Sequence, residues 1–93
     1  MICASVSNKL AFVMPTVFIQ DGYRVSFYSY DLAGRMHVHV FQAGHECKIW
    51  LDDLAVAFNR GFKPPEVAAI RRMISERRAE IVERWLEHGR NEG

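Results

Sequence analysis

A two-residue periodicity running turn by turn from Val17 to Phe58 constrains this chain more than any other feature. Side chains on a strand alternate between faces, so a segment that alternates apolar with polar residues is committed to a sheet with one buried side. Val17-Phe18-Ile19 leads into Asp21-Gly22, a dipeptide that accepts the positive φ angles of a two-residue hairpin. From Tyr23 to Tyr30, Val25 and Phe27 point one way, while Arg24, Ser26, Tyr28 and Tyr30 point the other. After a loop over Asp31 to Arg35 the alternation resumes, with Val38 and Val40 on one face and His37, His39 and Phe41 opposite. Ala43-Gly44-His45-Glu46 turns the chain, and then Ile49 and Leu51 face inward while Lys48 and Trp50 face outward. Beyond the Asp52-Asp53 turn, Leu54, Val56 and Phe58 share the inner face. That segment reads as a last strand, with a helical turn as the alternative.

The period then changes. Asn59-Arg60-Gly61 breaks the chain, and Pro64 and Pro65 stand where a helix start tolerates proline, because the missing N–H has no partner there anyway. Glu66 in the first turn suits the positive end of the helix dipole. Val67, Ile70, Ile74, Ile81 and Trp85 form an apolar stripe of helical period, and Trp85 is expected to plug the end of the core. Opposite lie Arg71, Arg72, Glu76, Arg77, Glu80, Glu83, Arg84 and Glu87, and Gly89 is expected to end the helix. A helix of ~24 residues is ~36 Å long, whereas a strand of five or six residues spans ~20 Å. The helix must therefore either break near Ser75 or carry its second half past the sheet onto something else, such as a second copy. The fold expected is α+β: an antiparallel meander of four or five strands with a long C-terminal helix packed on one face.

Residues 1–13 show neither period, and Met14-Pro15-Thr16-Val17 opens like a protein start. They read as an N-terminal extension, with an edge strand through Leu10 to Val13 as the alternative. Residues 14–88 read as a single domain and 89–93 as a tail. A chain of 93 residues has room for one small core. Twelve Lys and Arg against eleven Asp and Glu leave a formal charge of +1, without the bulk positive field that draws nucleic acid or an anionic membrane. Cys3 and Cys47 form no C-x-x-C motif and are too few for a disulfide framework. No apolar run reaches the ~20 residues of a membrane span, and residues 1–13 lack the pattern of a signal peptide. A cytoplasmic protein with no membrane partner is the expectation.

The outer face of the sheet carries the chemistry. A surface made only for solubility would hold Thr, Lys, Glu and Ser, but this one holds Tyr28, Tyr30, His37, His39, Phe41 and Trp50 beside Arg24 and Lys48. Rings with polar tips and little rotamer entropy suit protein recognition. Rings beside cations also describe single-stranded RNA platforms, and a third reading covers this face with the distal helix or a symmetric partner. His37-Val38-His39 places two imidazoles on one face with Cβ atoms ~6–7 Å apart, within reach of one metal ion. A third ligand would come from His45, Glu46 or Asp31. Neither a cupin nor a histidine-triad hydrolase has this spacing, since the next acidic residue is Glu46 and position 41 is Phe. No cofactor is assigned on this pattern, and a divalent metal at His37, His39 and His45 is an alternative. His37 or His39 also suits general acid–base work in RNA cleavage, with Arg24 or Lys48 against a phosphate. Cys47 starts a strand with no motif that marks a nucleophile, and there is no phosphate loop or nucleotide fingerprint.

Several stretches together resemble one small bacterial family, domain of unknown function 4160 (DUF4160). They are Met14-Pro15-Thr16-Val17, Asp21-Gly22-Tyr23, Phe27-Tyr28-Ser29, His37-Val38-His39-Val40, Ile49-Trp50-Leu51-Asp52, Asn59-Arg60-Gly61-Phe62 and Ile81-Val82-Glu83-Arg84-Trp85. The family commonly has a Pro-Pro pair before the histidines, where this chain has Arg35-Met36. The resemblance implies a compact bacterial protein from a family without established catalytic residues. The resemblance also implies genes often found beside another small uncharacterised family, an arrangement similar to toxin–antitoxin pairs. The leading expectation is thus a non-catalytic, toxin–antitoxin-like interaction protein that binds a small partner protein or itself. An RNase-like toxin or nucleic-acid-binding protein using the aromatic–histidine face is the alternative, and a metal-binding module through His37 and His39 the second.

Overall fold

The computed structural model describes residues 16–27 and 34–92, the side chains of 89–92 excepted. The proposed extension over residues 1–13, the strand alternative within it, Tyr28, Tyr30 and Asp31 all lie outside the described residues. Five strands form one antiparallel sheet in sequence order: β1 (Thr16–Gln20), β2 (Tyr23–Ser26), β3 (His37–Gln42), β4 (His45–Trp50) and β5 (Val56–Arg60). Two helices follow, α1 (Pro64–Glu76) and α2 (Arg78–Glu92). The fold is the α+β meander that the periodicity predicts. No helix among the described residues is long and apolar enough to cross a membrane.

Both tight turns take the chirality that a twisted hairpin needs. Asp21 and Gly22 have φ of 54° and 84°, and Ala43 and Gly44 repeat the pattern at 51° and 83°. Between them, β3 and β4 pair without interruption from His37 opposite Trp50 to Gln42 opposite His45. Two irregularities flank that ladder. In β1 the register shifts between Thr16 and Phe18, which lets Val17 enter the core while Phe18 packs against it. In β5 the shift falls opposite Lys48 and Ile49, so Val56 pairs with Ile49 but Phe58 pairs with Lys48.

That second bulge corrects the expectation that Leu54, Val56 and Phe58 share the inner face. Phe58 sits with Lys48 on the side away from the helices, 36% exposed, and Val56 is 39% exposed at the sheet edge. Leu54 belongs to the turn, with φ of 63°, and packs on the margin of the core.

The core lies between the other face and the helices. Val25, Val38, Val40, Cys47 and Ile49 are fully buried there, against Ile70, Met73 and Ile74 of α1 and Ile81 and Trp85 of α2. The end of α1 at Arg77 resolves the mismatch between a long helix and short strands. Arg77 leaves the helical conformation at φ −113° and ψ 19°, and its guanidinium lies 3.5 Å from the centroid of the Phe18 ring. From there it donates to Gln20 Oε1 at 3.0 Å and to both carboxylate oxygens of Glu80. The break thus falls two residues beyond Ser75, and Arg77 pins the start of α2 to the first hairpin. Trp85 plugs the end of the core, its ring 5.4 Å from that of Phe27. Gly89 does not end the helix, which runs on to Glu92: one glycine costs ~1 kcal/mol against alanine, too little to stop a turn already formed.

Ala43 is an exposed non-glycine residue held at positive φ, where its Cβ crowds the following carbonyl. Ala43→Asn, which tolerates that conformation, should raise stability by about 1 kcal/mol. The check is a higher urea midpoint at unchanged slope; an unchanged midpoint would mean that this turn carries no strain.

Candidate site: an imidazole pair beneath a cation–aromatic face

Cross-strand partners share a face, so the register sets the composition of the side away from the helices. Arg24 pairs with Phe41, Phe41 with Glu46 and Glu46 with Arg60, while Ser26, His39, Lys48 and Phe58 form a second row and His37 and Trp50 a third. Of the residues expected on this face, Arg24, His37, His39, Phe41, Lys48 and Trp50 are brought together here. Glu46, Phe58 and Arg60 join them.

The two imidazoles are not surface groups. His37 is 3% and His39 5% exposed, at odds with the open display of rings that the alternation predicts. Tertiary neighbours account for the difference. The His37 ring centroid lies 5.2 Å from that of Trp85, which arrives from α2, 5.7 Å from Trp50 and 5.2 Å from His39. His39 has Phe41 at 6.2 Å and Phe58 at 6.1 Å. The distal helix therefore does reach this region, though at one end of the sheet only.

Both rings are oriented through Nδ1. His37 Nδ1–H donates to the Arg35 carbonyl at 2.8 Å, and His39 Nδ1–H donates to Glu46 Oε2 at 3.0 Å. A carbonyl or a carboxylate can only accept, so in each neutral ring the proton is on Nδ1. Burial pushes the His39 pKa below its ordinary value. The hydrogen bond to Glu46 opposes that shift, while the neighbouring His37 and Lys48 add to it. Glu46 is itself held from the other side by Arg60, at 3.5 Å.

Cations lie over the rings around this pair. Arg24 is 4.9 Å from the Phe41 centroid, Arg35 and Lys48 are 4.1 and 4.6 Å from that of Trp50, and Arg60 is 5.6 Å from that of Phe58. Arg35 also forms a bidentate pair with Asp52, at 2.8 and 2.7 Å, which holds the Asp52 carboxyl down at about 2. Arg35 thus does three jobs: its carbonyl orients His37, its guanidinium covers Trp50, and it ties β3 to the turn after β4. It was legible in principle, since it has the parity of His37 and His39.

His45 does not belong with the other histidines. It has the parity of Cys47 and Ile49, so it lies across the sheet, with its ring 5.5 Å from Phe62. A Cβ on Gly61 would stand 2.0 Å from His45 Nδ1, which is why the chain needs glycine there. The sheet separates His45 from His37 and His39, and the three-histidine metal set is ruled out by geometry. Among the described residues, no group of three or more His, Cys, Asp or Glu side chains is placed to hold a metal ion. Cys47 is buried, with its thiol pushed up to about 12, so it is no nucleophile at neutral pH.

The depressed His39 pKa has a consequence for stability. The unfolded chain takes up a proton near the ordinary value of 6.5, and the folded chain resists it until a lower pH. Stability should therefore be full above pH 6.5 and fall as the pH drops below it. Urea titrations across pH 7.5 to 4.5 check this, with His39→Gln expected to flatten the first part of the decline. A wild-type profile that stays level down to pH 5 would contradict the burial of a neutral ring.

Comparison with known proteins adds one match. The model of a family described as Domain of unknown function (DUF4160) matches residues 22–86, which include the sheet from the first turn onward and the helices through Leu86. No curated protein and no solved structure matches the chain. With most of its length covered by that match, and with the histidine and Trp50 motifs inside it, the chain belongs to the DUF4160 family.

Proposed function

We propose that this chain is a non-catalytic interaction protein that binds a small partner protein through the cation–aromatic face of its sheet, in a toxin–antitoxin-like pairing. The observation that carries the reading is the set of four cations already laid over the Phe41, Trp50 and Phe58 rings. Side chains held this way have given up much of their rotamer freedom before any partner arrives, so less is lost on docking. Trp and Arg are also the residues that dominate the energetics of protein interfaces. The partner that fits would bring carboxylates to Lys48 and Arg60 and an apolar side chain to Phe58.

Charge favours a protein over RNA. Arg24, Arg35, Lys48 and Arg60 are faced by Glu46, Asp52 and Asp53, and Arg35 and Arg60 already sit in ion pairs. This is too small an excess for the phosphate neutralisation that drives nucleic-acid binding. Catalysis is disfavoured as well, because His37 and His39 are buried and committed through Nδ1.

The test is titration calorimetry against the product of the gene adjacent to this one. Saturable binding is expected, weakened at least tenfold by Trp50→Ala and by Lys48→Glu, with both variants still folded by circular dichroism. Binding untouched by either variant would overturn the reading. So would a salt-sensitive affinity for single-stranded RNA with none for the protein.

A further inference from the structure

The solvent side of the helical elbow carries a second surface that the sheet-face reading does not use. A mainly apolar groove of about 720 Å³ runs along it. Its floor is Ala79, Val82 and Leu86, which recur at three and four residues and so form one stripe on α2. Leu86 is 49% exposed, the most open large apolar side chain among the described helical residues.

The charges beside this stripe identify what covers it. Glu80 is paired with Arg77, and Arg84 with Glu87. Among the described residues that leaves Arg78 and Glu83 on α2, with Glu76 at the end of α1, without an ion pair; Arg78 donates to the Asp52 carbonyl, at 3.0 Å. At 100° per residue, Arg78 lies on one flank of the stripe and Glu83 on the other. Five residues apart, they are too far round the helix to meet each other. Five is, however, the offset at which flanking residues meet across two parallel helices joined along such a stripe. A twofold axis then brings Arg78 of each chain to Glu83 of the other. An antiparallel arrangement would instead set each flank beside its own copy, Arg78 on the side of Arg78 and Glu83 on the side of Glu83.

We infer that the α2 stripe docks a second copy of this chain, with the two α2 helices parallel and Arg78 paired to the opposite Glu83. Small Ala79 lets the helices approach at their N-terminal ends, and Val82 and Leu86 fill the seam beyond it. A seam of three apolar layers falls below the ~1,200 Å² of a standard interface, so the dimer forms in a concentration-dependent way. The inference stands apart from the sheet-face reading, since the two surfaces share no residue and either can fail alone.

Sedimentation equilibrium of the full chain over a range of concentrations tests it. The average mass should rise from 10.7 kDa toward twice that value. Leu86→Lys, at an exposed position, should stay at the single-chain mass throughout with an unchanged melting temperature. Arg78→Glu and Glu83→Arg should each weaken association by about fivefold to tenfold. The double exchange should recover affinity to within about threefold of the parent. A wild-type chain that stays single at millimolar concentration would overturn the proposal. So would association that survives Leu86→Lys, or a double exchange no better than either single one.

Discussion

The pairing of β3 with β4 is the constraint on which the rest of the molecule rests. Its register runs unbroken from His37 and Trp50 to Gln42 and His45, and Val38, Val40, Cys47 and Ile49 fall under the helices only in that register. A slip of β3 by one residue against β4 would put both imidazoles into the aliphatic core and send Val38 and Val40 to the other side. The register is strongly specified because both faces of β3 are buried: its first four residues are all buried. The Ala43-Gly44 turn and the Arg35–Asp52 ion pair hold the ladder at its two ends.

From that ladder the site follows by parity. Residues 35, 37, 39 and 41 share a side, and the pairing brings 46, 48 and 50 beside them. The result has two layers. Underneath are the imidazoles, each held by a proton on Nδ1; around them are rings with cations across their faces. The first layer settles the register and the second is the surface proposed to take a partner; histidines that resemble a catalytic or metal pair in sequence are held here as buried, hydrogen-bonded groups. Glu46 links the layers, since its carboxylate takes a hydrogen bond from buried His39 and an ion pair from exposed Arg60.

Much of this was legible in the sequence, and the exceptions have physical causes. The Asp21-Gly22 turn, the alternation through β2, β3 and β4, and the stripe from Ile70 to Trp85 each obey a local rule and were read from it. Phe58 was misplaced because a bulge adds one residue to β5 and reverses parity beyond it, and the residues there carry no glycine to mark the site. The burial of His37 was hidden because it depends on Trp85, nearly fifty positions away and delivered by the break at Arg77. His45 is a different case: its parity with Cys47 already excluded it from a site with His39, and spacing alone obscured that.

The most direct test of this account is a long-range ¹⁵N–¹H correlation spectrum of the imidazoles at neutral pH. Both His37 and His39 should show the Nδ1–H tautomer, and His39 should hold that state to below pH 6.5. Rings that carry the proton on Nε2, or a His39 that titrates at or above 6.5 like a free imidazole, would contradict it.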